Sequence, residues 1–315
     1  MVSVNDSQNC VQLHALQAGH LTLPERFFVH PSSDNLKTTV PSLSFLIKHT
    51  DSKSGNIHRL LFDLGLRHPT TKYPQPVQNH IGTRQPLTAY PDVVQSLEHG
   101  GLKPNDIDLV IYSHIHWDHI GDPESFPNST FVVGPGTSSL FGNKSLRGGH
   151  SFFEENLLPE GRTIELPSVD DKRATKITQQ SDISAVDIKF NQSWRPYGRL
   201  PRTIDLFQDG SVLLVDAPGH LPGHINLLAR IQQEKYVYLA GDACHDRRIL
   251  TGEKQIADWL DDSGHVCCIH VDKTEAQSTI ERIRILEAEG VEIIFAHDVS
   301  WEQDTKNSHR FFGNA

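Results

Sequence analysis

The chain has 315 residues, of which 37% are hydrophobic and 22% charged, with a mean hydropathy of −0.40 and a formal net charge of −10. This composition excludes a membrane-embedded protein and does not suggest wholesale disorder, and no apolar run is long enough for a membrane-spanning helix. The acidic charge repels phosphate backbones, so no nucleic-acid partner is expected, and the composition and short apolar runs predict no membrane partner.

The first part of the chain predicts short strands separated by turns. Three such strands are expected at residues 11–16, 42–48 and 58–63. Residues 66–90 are rich in Pro, Thr, Gln and Tyr and show neither a helical nor a strand period, so they are predicted to form a long loop. Loops of this length inside compact domains are usually functional or disordered. A helix is expected next, with Pro91 near its first turn and Gly100 and Gly101 at its end.

Apolar runs predict the remaining strands. Residues 107–113 form an apolar run that ends abruptly in histidines, which is typical of a buried strand that delivers side chains to a loop. Residues 134–202 are mixed in composition and are predicted to hold loops with one or two short helices. Further strands are expected at residues 130–134, 225–231, 236–242 and 291–298, with a hairpin at 203–216 that turns at Asp209-Gly210 and a helix at 272–290.

Strands and helices alternate in two rough halves, residues 1–200 and 201–315, and no linker separates them. Length alone allows one or two domains. We therefore expect one domain over residues 1–315, of the α/β (α+β) class, with loop insertions near residues 66–90 and 134–202.

Histidine is unusually frequent, with 19 residues against one methionine. Four metal-capable side chains follow the apolar run directly: His114, His116, Asp118 and His119. Strand alternation places His114 and His116 on one side, and a turn brings Asp118 and His119 to a second position. Imidazole and carboxylate suit a divalent cation such as zinc, and this spacing favours two neighbouring ions over one. The alternative, a polar loop of internally satisfied histidines, is disfavoured because such histidines do not cluster in this way.

Three further polar residues stand at the ends of apolar strands: His220, Asp242 and His297. Proteins of the α/β type collect their functional groups at strand ends. Alone, each of these residues could equally cap an element or satisfy a buried partner. Together with the cluster at residues 114–119 they complete a set of seven candidate metal ligands.

The order of these motifs resembles the metallo-β-lactamase superfamily. HIHWDH at residues 114–119 matches the family's HxHxDH, PGHLPGH at 218–224 is similar to its GHTxGH element, and AGD at 240–242 and FAH at 295–297 match its later aspartate and histidine. The resemblance covers residues 40 to 300. It implies a four-layer αββα sandwich with the ligands on loops at one edge of two packed sheets.

The resemblance also implies which residues bind metal. The first ion would be held by His114, His116 and His220, the second by Asp118, His119 and His297, and Asp242 would bridge the two. Two Zn²⁺ ions are expected, although Mn, Co and Fe suit the same ligands.

Residues near these motifs have expected supporting roles. Asp63, in FDLG, resembles the family's DTG-type element and would accept a hydrogen bond from a ligating histidine, with a plain turn residue as the alternative. His224 is expected to support the ligands or to pack. His245 stands three residues after Asp242, where related lactonases often carry a tyrosine, and it could donate a hydrogen bond to an oxyanion or merely pack. Cys244 is expected to be a small buried residue.

The implied chemistry is hydrolysis of a carbonyl compound. A metal-bridging hydroxide would attack the carbonyl carbon, and Asp118 is a candidate proton carrier. The branch that the sequence resembles most is the quorum-quenching N-acyl-homoserine lactonases, so a lactonase is the first expectation. The alternatives are a γ-lactamase or cyclic-carbamate hydrolase for xenobiotic detoxification, and a thioesterase or glyoxalase II-like hydrolase. Nucleic-acid-processing, flavin-dependent diiron and non-catalytic relatives are disfavoured, because the chain is acidic, shows no flavin-binding extension and has all seven ligands.

The cysteines, the first residues and the loop aromatics predict the location and the partners of the protein. The four cysteines show no CxxC pair and the first residues show no secretory signal, so a cytoplasmic location is expected. The glycosylation patterns at Asn128 and Asn143 are attributed to chance. The expected partner is a small lactone or lactam, and the chain is expected to be a monomer or homodimer. Aromatic residues in loops expected to overhang the site could form an apolar substrate pocket or could equally be ordinary packing, and none is assigned an individual role: Tyr73, Phe126, Phe141, Trp194 and Tyr197.

Overall fold

Two six-stranded β-sheets carry the fold. The structure is a computed structural model that describes residues 9–33, 35–142, 146, 150, 152–170, 188, 190 and 192–314. Within these residues the strands are β1 (Gln12–Leu16), β2 (His20–Pro24), β3 (Val29–His30), β4 (Lys37–Pro41), β5 (Ser44–Thr50), β6 (Ile57–Phe62), β7 (Leu109–Ile111), β8 (Thr130–Val133), β9 (Thr163–Glu165), β10 (Arg195–Tyr197), β11 (Leu200–Asp205), β12 (Val212–Asp216), β13 (Ile225–Gln232), β14 (Lys235–Leu239), β15 (Gln255–Ile256), β16 (Asp258–Leu260), β17 (Val266–Cys268) and β18 (Glu292–Ile294). The α-helices of the same residues are α1 (Gln75–Ile81), α2 (Val93–His99), α3 (Arg247–Leu250), α4 (Lys273–Ala288) and α5 (Val299–Gln303). Short 3₁₀ turns lie at Glu25–Phe27, Thr70–Lys72, Gly82–Arg84, Pro104–Asp106, Pro123–Ser125, Thr137–Leu140 and Thr305–Arg310.

The first sheet comes from the first half of the chain and the second sheet from the second half. The strand order is β1-β5-β6-β7-β8-β9 in the first sheet and β10-β11-β12-β13-β14-β18 in the second. In the first sheet β6 to β9 run parallel, and in the second sheet β18 runs parallel to β14. Since parallel neighbours end at the same edge of a sheet, the loops after β6 and β7 meet there, and so do those after β14 and β18.

The inner faces of the two sheets share one apolar core, and helices cover the outer faces. Leu60 of the first sheet lies in the same buried cluster as Leu214 and Leu227 of the second. A separate buried cluster includes Leu97 of α2 and Ile283 of α4. α2 contacts β1 and α4 contacts β18. The layers are therefore helix, sheet, sheet and helix, and the predicted αββα sandwich is confirmed.

α4 is the helix predicted at residues 272–290. The Asp272 side chain accepts a hydrogen bond from the backbone N–H of Glu275 at 2.9 Å, which satisfies one of the free donors at the start of the helix. The buried side chains of the helix recur every three or four residues: Ala276, Thr279, Ile280, Ile283 and Leu286. The capping residue on which the prediction rested therefore starts the helix where it was expected.

Residues 66–90 differ from the predicted loop because they contain α1. The helix begins after Pro74, and Pro76 lies in its first turn, where the missing N–H leaves no hydrogen bond unmade. Only Val77 and Ile81 of its seven residues are buried, so the helix is too short to show a period in the sequence. The expectation that this segment has no regular structure is therefore corrected.

Short strands outside the predicted set also form. β2 pairs with β4, β3 with β15, and β16 with β17, and each of these ribbons has two to five residues per strand. Patterns of that length cannot be distinguished from loops in a single sequence. The described part of residues 134–202 contains β9, β10 and the start of β11, whereas much of the segment, including Asn143, lies outside the described residues.

The single-domain interpretation of residues 1–315, with its two loop insertions, stays a prediction. The shared core between the sheets is what one folding unit would contain. Among the described helices, none combines the length and the apolar character that crossing a bilayer requires.

Candidate metal centre

The structure brings the seven predicted side chains together at one edge of the two sheets. His114, His116, Asp118 and His119 follow β7, His220 follows β12, Asp242 follows β14, and His297 follows β18. All seven are buried. Burying so many ionisable groups in one place is costly unless they bind something or pair with one another.

The first group consists of three imidazole nitrogens that face one another. Nε2 of His114 lies 2.9 Å from Nδ1 of His116, and Nε2 of His220 lies 3.2 Å and 3.0 Å from these two atoms. Oδ2 of Asp242 lies 3.7 Å from His114 Nε2 and 3.5 Å from His220 Nε2. Ligand atoms at about 2.0–2.1 Å from a tetrahedral cation are about 3.3 Å apart, so this group has the size of a divalent-cation site.

The second group lies on the other side of the same carboxylate. Oδ1 of Asp242 is 3.3 Å from Nε2 of His119 and 3.3 Å from Nε2 of His297, and Oδ2 of Asp118 is 3.6 Å from His297 Nε2. His119 Nε2 and Asp242 Oδ1 are buried atoms without a hydrogen-bond partner in the described chain. The two oxygens of Asp242 therefore face two different groups of ligand-capable atoms, and the residues present fit two divalent cations.

Asp63 fixes the orientation of ligand-capable rings in both groups. Its carboxylate accepts hydrogen bonds from the Ser113 backbone N–H at 2.6 Å, from Ser113 Oγ at 2.7 Å and from Nδ1 of His119 at 2.9 Å. Because Ser113 Oγ donates to Asp63, it accepts from Nδ1 of His114, 3.0 Å away. Both rings then carry their proton on Nδ1, which leaves the Nε2 lone pairs directed at Asp242 and the centre.

Backbone carbonyls fix two further rings. Nδ1 of His297 lies 2.7 Å from the Pro41 carbonyl oxygen, which can only accept, so the Nε2 lone pair of His297 faces the centre. Nδ1 of His224 donates to the Ala217 carbonyl at 3.1 Å, and its Nε2 accepts from the Asp242 backbone N–H at 3.1 Å. His224 thus holds the backbone of Asp242 and points no nitrogen at the two groups.

The absence of a side chain at Gly241 lets this arrangement form. Gly241 has φ +47°, and a Cβ there would lie 2.8 Å from Cβ of Ser113 and 3.0 Å from Nε2 of His224. Only glycine accommodates both the positive φ and the close approach at this turn.

His150 supports the His116 ring of the first group, and the sequence contained no signal for it. Nε2 of His116 lies 3.1 Å from Nδ1 of His150, and Nε2 of His150 lies 3.1 Å from the Cys268 carbonyl oxygen. Because a carbonyl only accepts, His150 carries its proton on Nε2 and accepts from His116 Nε2–H. The lone pair of His116 Nδ1 then faces His114 and His220. His150 lies in a segment without metal-ligand spacing, so only the tertiary structure reveals its contact.

Replacing His150 by alanine should weaken metal binding at the first group. His116 would lose the acceptor that fixes its tautomer, and changes of this kind cost about 10- to 100-fold in metal affinity. Competition with a chromogenic chelator measures the affinity, and the exposed His309→Ala substitution is the matched control. Equal affinities of the two variants would show that His150 does not position His116.

The electrostatics of the centre suit a cation. Burial holds the pKa values of His114, His116 and His220 well below the usual range, so these rings are neutral. Burial also acts to lower the pKa of His119 and His297, but the nearby Asp242 carboxylate outweighs it and raises both. Burial acts to raise the pKa of Asp242, but the surrounding histidines hold it well below its usual range. Protons on the imidazoles thus offset the buried carboxylate, and a divalent cation would take their place.

His245 lies at the centre rather than in the surrounding packing. Its Nε2 is 3.0 Å from Oδ2 of Asp242, and its Nδ1 is buried without a partner in the described chain. The neighbouring Cys244 is buried, and its Sγ donates to the Asp246 carbonyl at 3.2 Å, as expected of a small structural residue. Burial raises the pKa of the Cys244 thiol to about 12, which keeps it protonated.

A narrow cavity reaches the two groups. Its metal-capable lining residues are His116, Asp118, Asp242, His245 and His297, and its other walls are Leu21, Leu23, Phe28, His80, Arg84, Trp117 and Ile269. His80 and Arg84 come from α1 and the turn after it, so the 66–90 segment contributes to the site. Burial lowers the pKa of His80 to about 4, so its ring is neutral.

The aromatic residues expected to overhang the site do not line this cavity among the residues the structure describes. Tyr73 is buried, donates to the Trp117 carbonyl at 2.7 Å and accepts from the Arg67 N–H at 2.7 Å. Phe126 lies in the core, and Trp194 donates to the Pro167 carbonyl. The packing alternative therefore describes Tyr73, Phe126 and Trp194, and the aromatic residues that line the cavity are Phe28 and Trp117.

Comparison with known proteins matches the chain to a protein family and to curated relatives. The model of the metallo-beta-lactamase superfamily matches residues 40–291. A curated relative from Penicillium brevicompactum, cytochrome P450 monooxygenase mpaDE, is 30% identical over 95% of this chain and 35% of its own length. The gamma-lactamase FDB1 of Fusarium pseudograminearum is 28% identical over 78% of this chain and 55% of its own length. The chain thus spans between about a third and about half of the length of these relatives.

A solved structure shows the same fold. It is an N-acyl homoserine lactone hydrolase with the product N-hexanoyl-L-homoserine bound at its catalytic metal centre. The TM-score is 0.64 at 19% identity, and the match covers 93% of this chain and 96% of the other.

Proposed function

The chain belongs to the metallo-beta-lactamase superfamily, and we propose that it is a two-metal hydrolase that opens the ring of a small cyclic ester. It is a metal-dependent hydrolase of the lactonase or lactamase type. The observation that carries the two-metal proposal is Asp242, whose Oδ2 faces the first group of histidines while Oδ1 faces the second.

The metal ligands follow from the two groups. The first cation would be held by His114, His116 and His220, and the second by Asp118, His119 and His297, with Asp242 between them. Two such cations, Zn²⁺ by ligand preference, supply Lewis acidity for a carbonyl oxygen and lower the pKa of bound water toward neutrality. The chain's own contribution is to hold the His119, His297 and His116 rings each in one orientation, through Asp63, Pro41 and His150 respectively.

Two residues in the cavity are proposed to act on the substrate. His245 Nε2–H, which donates to Asp242 in the structure, is the N–H group that would donate to the developing oxyanion of the carbonyl. Asp118, whose carboxylate borders the cavity and His297, would carry a proton to the departing ring oxygen. An Asp118→Asn variant that kept both metals and the full rate would exclude this proton transfer.

The remaining walls are suited to a small ester with an apolar part. Leu21, Leu23, Phe28, Trp117 and Ile269 are apolar and would hold the hydrocarbon portion while excluding water. The Arg84 guanidinium is the cationic group of the wall, and it would attract a polar group at the far end of the substrate.

A γ-lactam is the second candidate substrate. The relative FDB1, a gamma-lactamase, is similar over 78% of this chain. The same ligand set accepts a nitrogen leaving group in place of an oxygen, because Asp118 would protonate either atom. Cyclic carbamates and thioesters complete the set of carbonyl compounds to be tested.

Proton release in weak buffer distinguishes these substrates. The panel contains short- and long-chain acyl-homoserine lactones, plain γ- and δ-lactones, a γ-lactam, a benzoxazolinone-type carbamate and a thioester. We expect the metal-loaded chain to open a lactone at least about tenfold faster than the lactam, and the chelator-stripped chain to open neither. Turnover of the lactam or carbamate with inert lactones would overturn the lactonase proposal in favour of the second candidate.

Location and partners stay at the level of expectation. The proposed partner is the small-molecule substrate itself. The cytoplasmic location and the monomeric or homodimeric state stay predictions from the sequence.

A further inference from the structure

A third group of histidines lies beside the first metal group. His270 follows β17, and its ring centroid lies 5.2 Å from that of His220 and 5.3 Å from that of His245. One ligand-capable atom from each of these three residues lies within 4.8 Å of the others. His270 belongs to neither of the two groups around Asp242.

The nitrogens of this group are buried and lack partners. His270 has 2% of its surface exposed, and neither of its ring nitrogens has a hydrogen-bond partner in the described chain. The same holds for Nδ1 of His220 and Nδ1 of His245. A neutral imidazole offers one donor and one acceptor, and buried polar atoms are almost always partnered. Four such atoms in three adjacent rings indicate that this group of side chains binds a ligand that imidazole nitrogens can coordinate or hydrogen-bond.

We propose that His220, His245 and His270 form a third divalent-cation site, filled only when Zn²⁺ exceeds the amount that saturates the two groups around Asp242. Three imidazoles are a common ligand set for Zn²⁺. The site binds more weakly because it shares His220: Nε2 of this ring already faces His114 and His116 at 3.2 Å and 3.0 Å, so the third cation would bind at Nδ1 and displace the remaining ring proton to solvent. Oδ2 of Asp242 lies 3.0 Å from Nε2 of His245, at the edge of this group.

Occupation of this site inhibits the enzyme. His245 lines the same cavity as Asp118 and His297, so a cation held at Nδ1 of His245 narrows the space over both metal groups. This consequence rests on the proposed function, whereas the cation site itself does not.

Equilibrium dialysis against rising Zn²⁺, with metal and protein counted by mass spectrometry, tests the site. The wild-type chain should bind two equivalents tightly and a third at higher Zn²⁺. The His270→Ala and His270→Gln variants should keep the tight equivalents and lose the third, and the exposed His309→Ala control should keep all three. In rate assays, excess Zn²⁺ should inhibit the wild type over the concentrations at which the third equivalent binds, and should not inhibit the His270 variants.

Three results would overturn the third site. The first is the absence of a third equivalent in the wild-type chain, and the second is a third equivalent that persists in both His270 variants. A loss of one of the tight equivalents in these variants would assign His270 to the first group instead, which also contradicts the proposal. Fewer than two tight equivalents in the wild type would refute the proposed two-metal function. The third site has its own readout, which is whether any bound equivalent is lost in the His270 variants.

Discussion

The Asp242→Asn variant should lose at least about a thousandfold in kcat/KM, roughly 4 kcal/mol of transition-state stabilisation. The two carboxylate oxygens of Asp242 face different groups, with Oδ1 3.3 Å from His119 and His297 and Oδ2 3.5 Å from His220. An amide keeps one oxygen and replaces the other by an NH₂ group, which cannot bind a cation. One of the two groups therefore loses the carboxylate oxygen that Asp242 presents to it.

Metal content and rate should be measured together on this variant. We expect at least one tightly bound cation per chain to be lost along with the activity. The matched control is Asp262→Asn, because Asp262 is exposed and lies outside the groups that could hold a metal. A variant at position 242 that kept its metals and its rate would show that Asp242 does not bridge the centre.

The Asp63→Asn variant should reduce metal affinity by about 10- to 100-fold, with a similar loss of rate at limiting metal. Asp63 accepts three hydrogen bonds, from Ser113 N–H, Ser113 Oγ and His119 Nδ1. An asparagine can accept at one oxygen only, and its NH₂ would oppose another donor. The His119 ring, and the His114 ring through Ser113, would then lose the bond that fixes their tautomers.

Asparagine is the informative substitution because it leaves the backbone in place. Asp63 has φ +61°, in the left-handed region that asparagine also tolerates. Chelator competition should show the weaker metal binding, and thermal unfolding of the metal-free chains should separate this effect from a loss of fold. Unchanged metal affinity in a folded variant would reduce Asp63 to a turn residue.

The core of the candidate site could be predicted because its residues are close in sequence or stand at strand ends. His114 to His119 span six residues shortly after β7, and Asp242 and His297 end apolar runs that form β14 and β18. Burial on both faces makes such strands visible as continuous apolar runs. The chain order then places these side chains at one edge of the sheets.

The supporting residues could not be predicted because their contacts are formed only by the tertiary structure. His150 lies in a segment of mixed composition, and its partners are His116, 34 residues before it, and the Cys268 carbonyl, 118 residues after it. His270 follows a three-residue strand that has no recognisable period. The same limit applies to α1, whose seven residues bury only Val77 and Ile81.

The two-metal centre held by Asp242 is tested most directly by counting metal in the purified wild-type chain. The chain would be loaded with Zn²⁺, passed through gel filtration to remove weakly bound metal, and assayed for metal and protein by mass spectrometry. The arrangement of the seven ligands predicts two tightly bound cations per chain. One cation, or none, in a folded chain would contradict it.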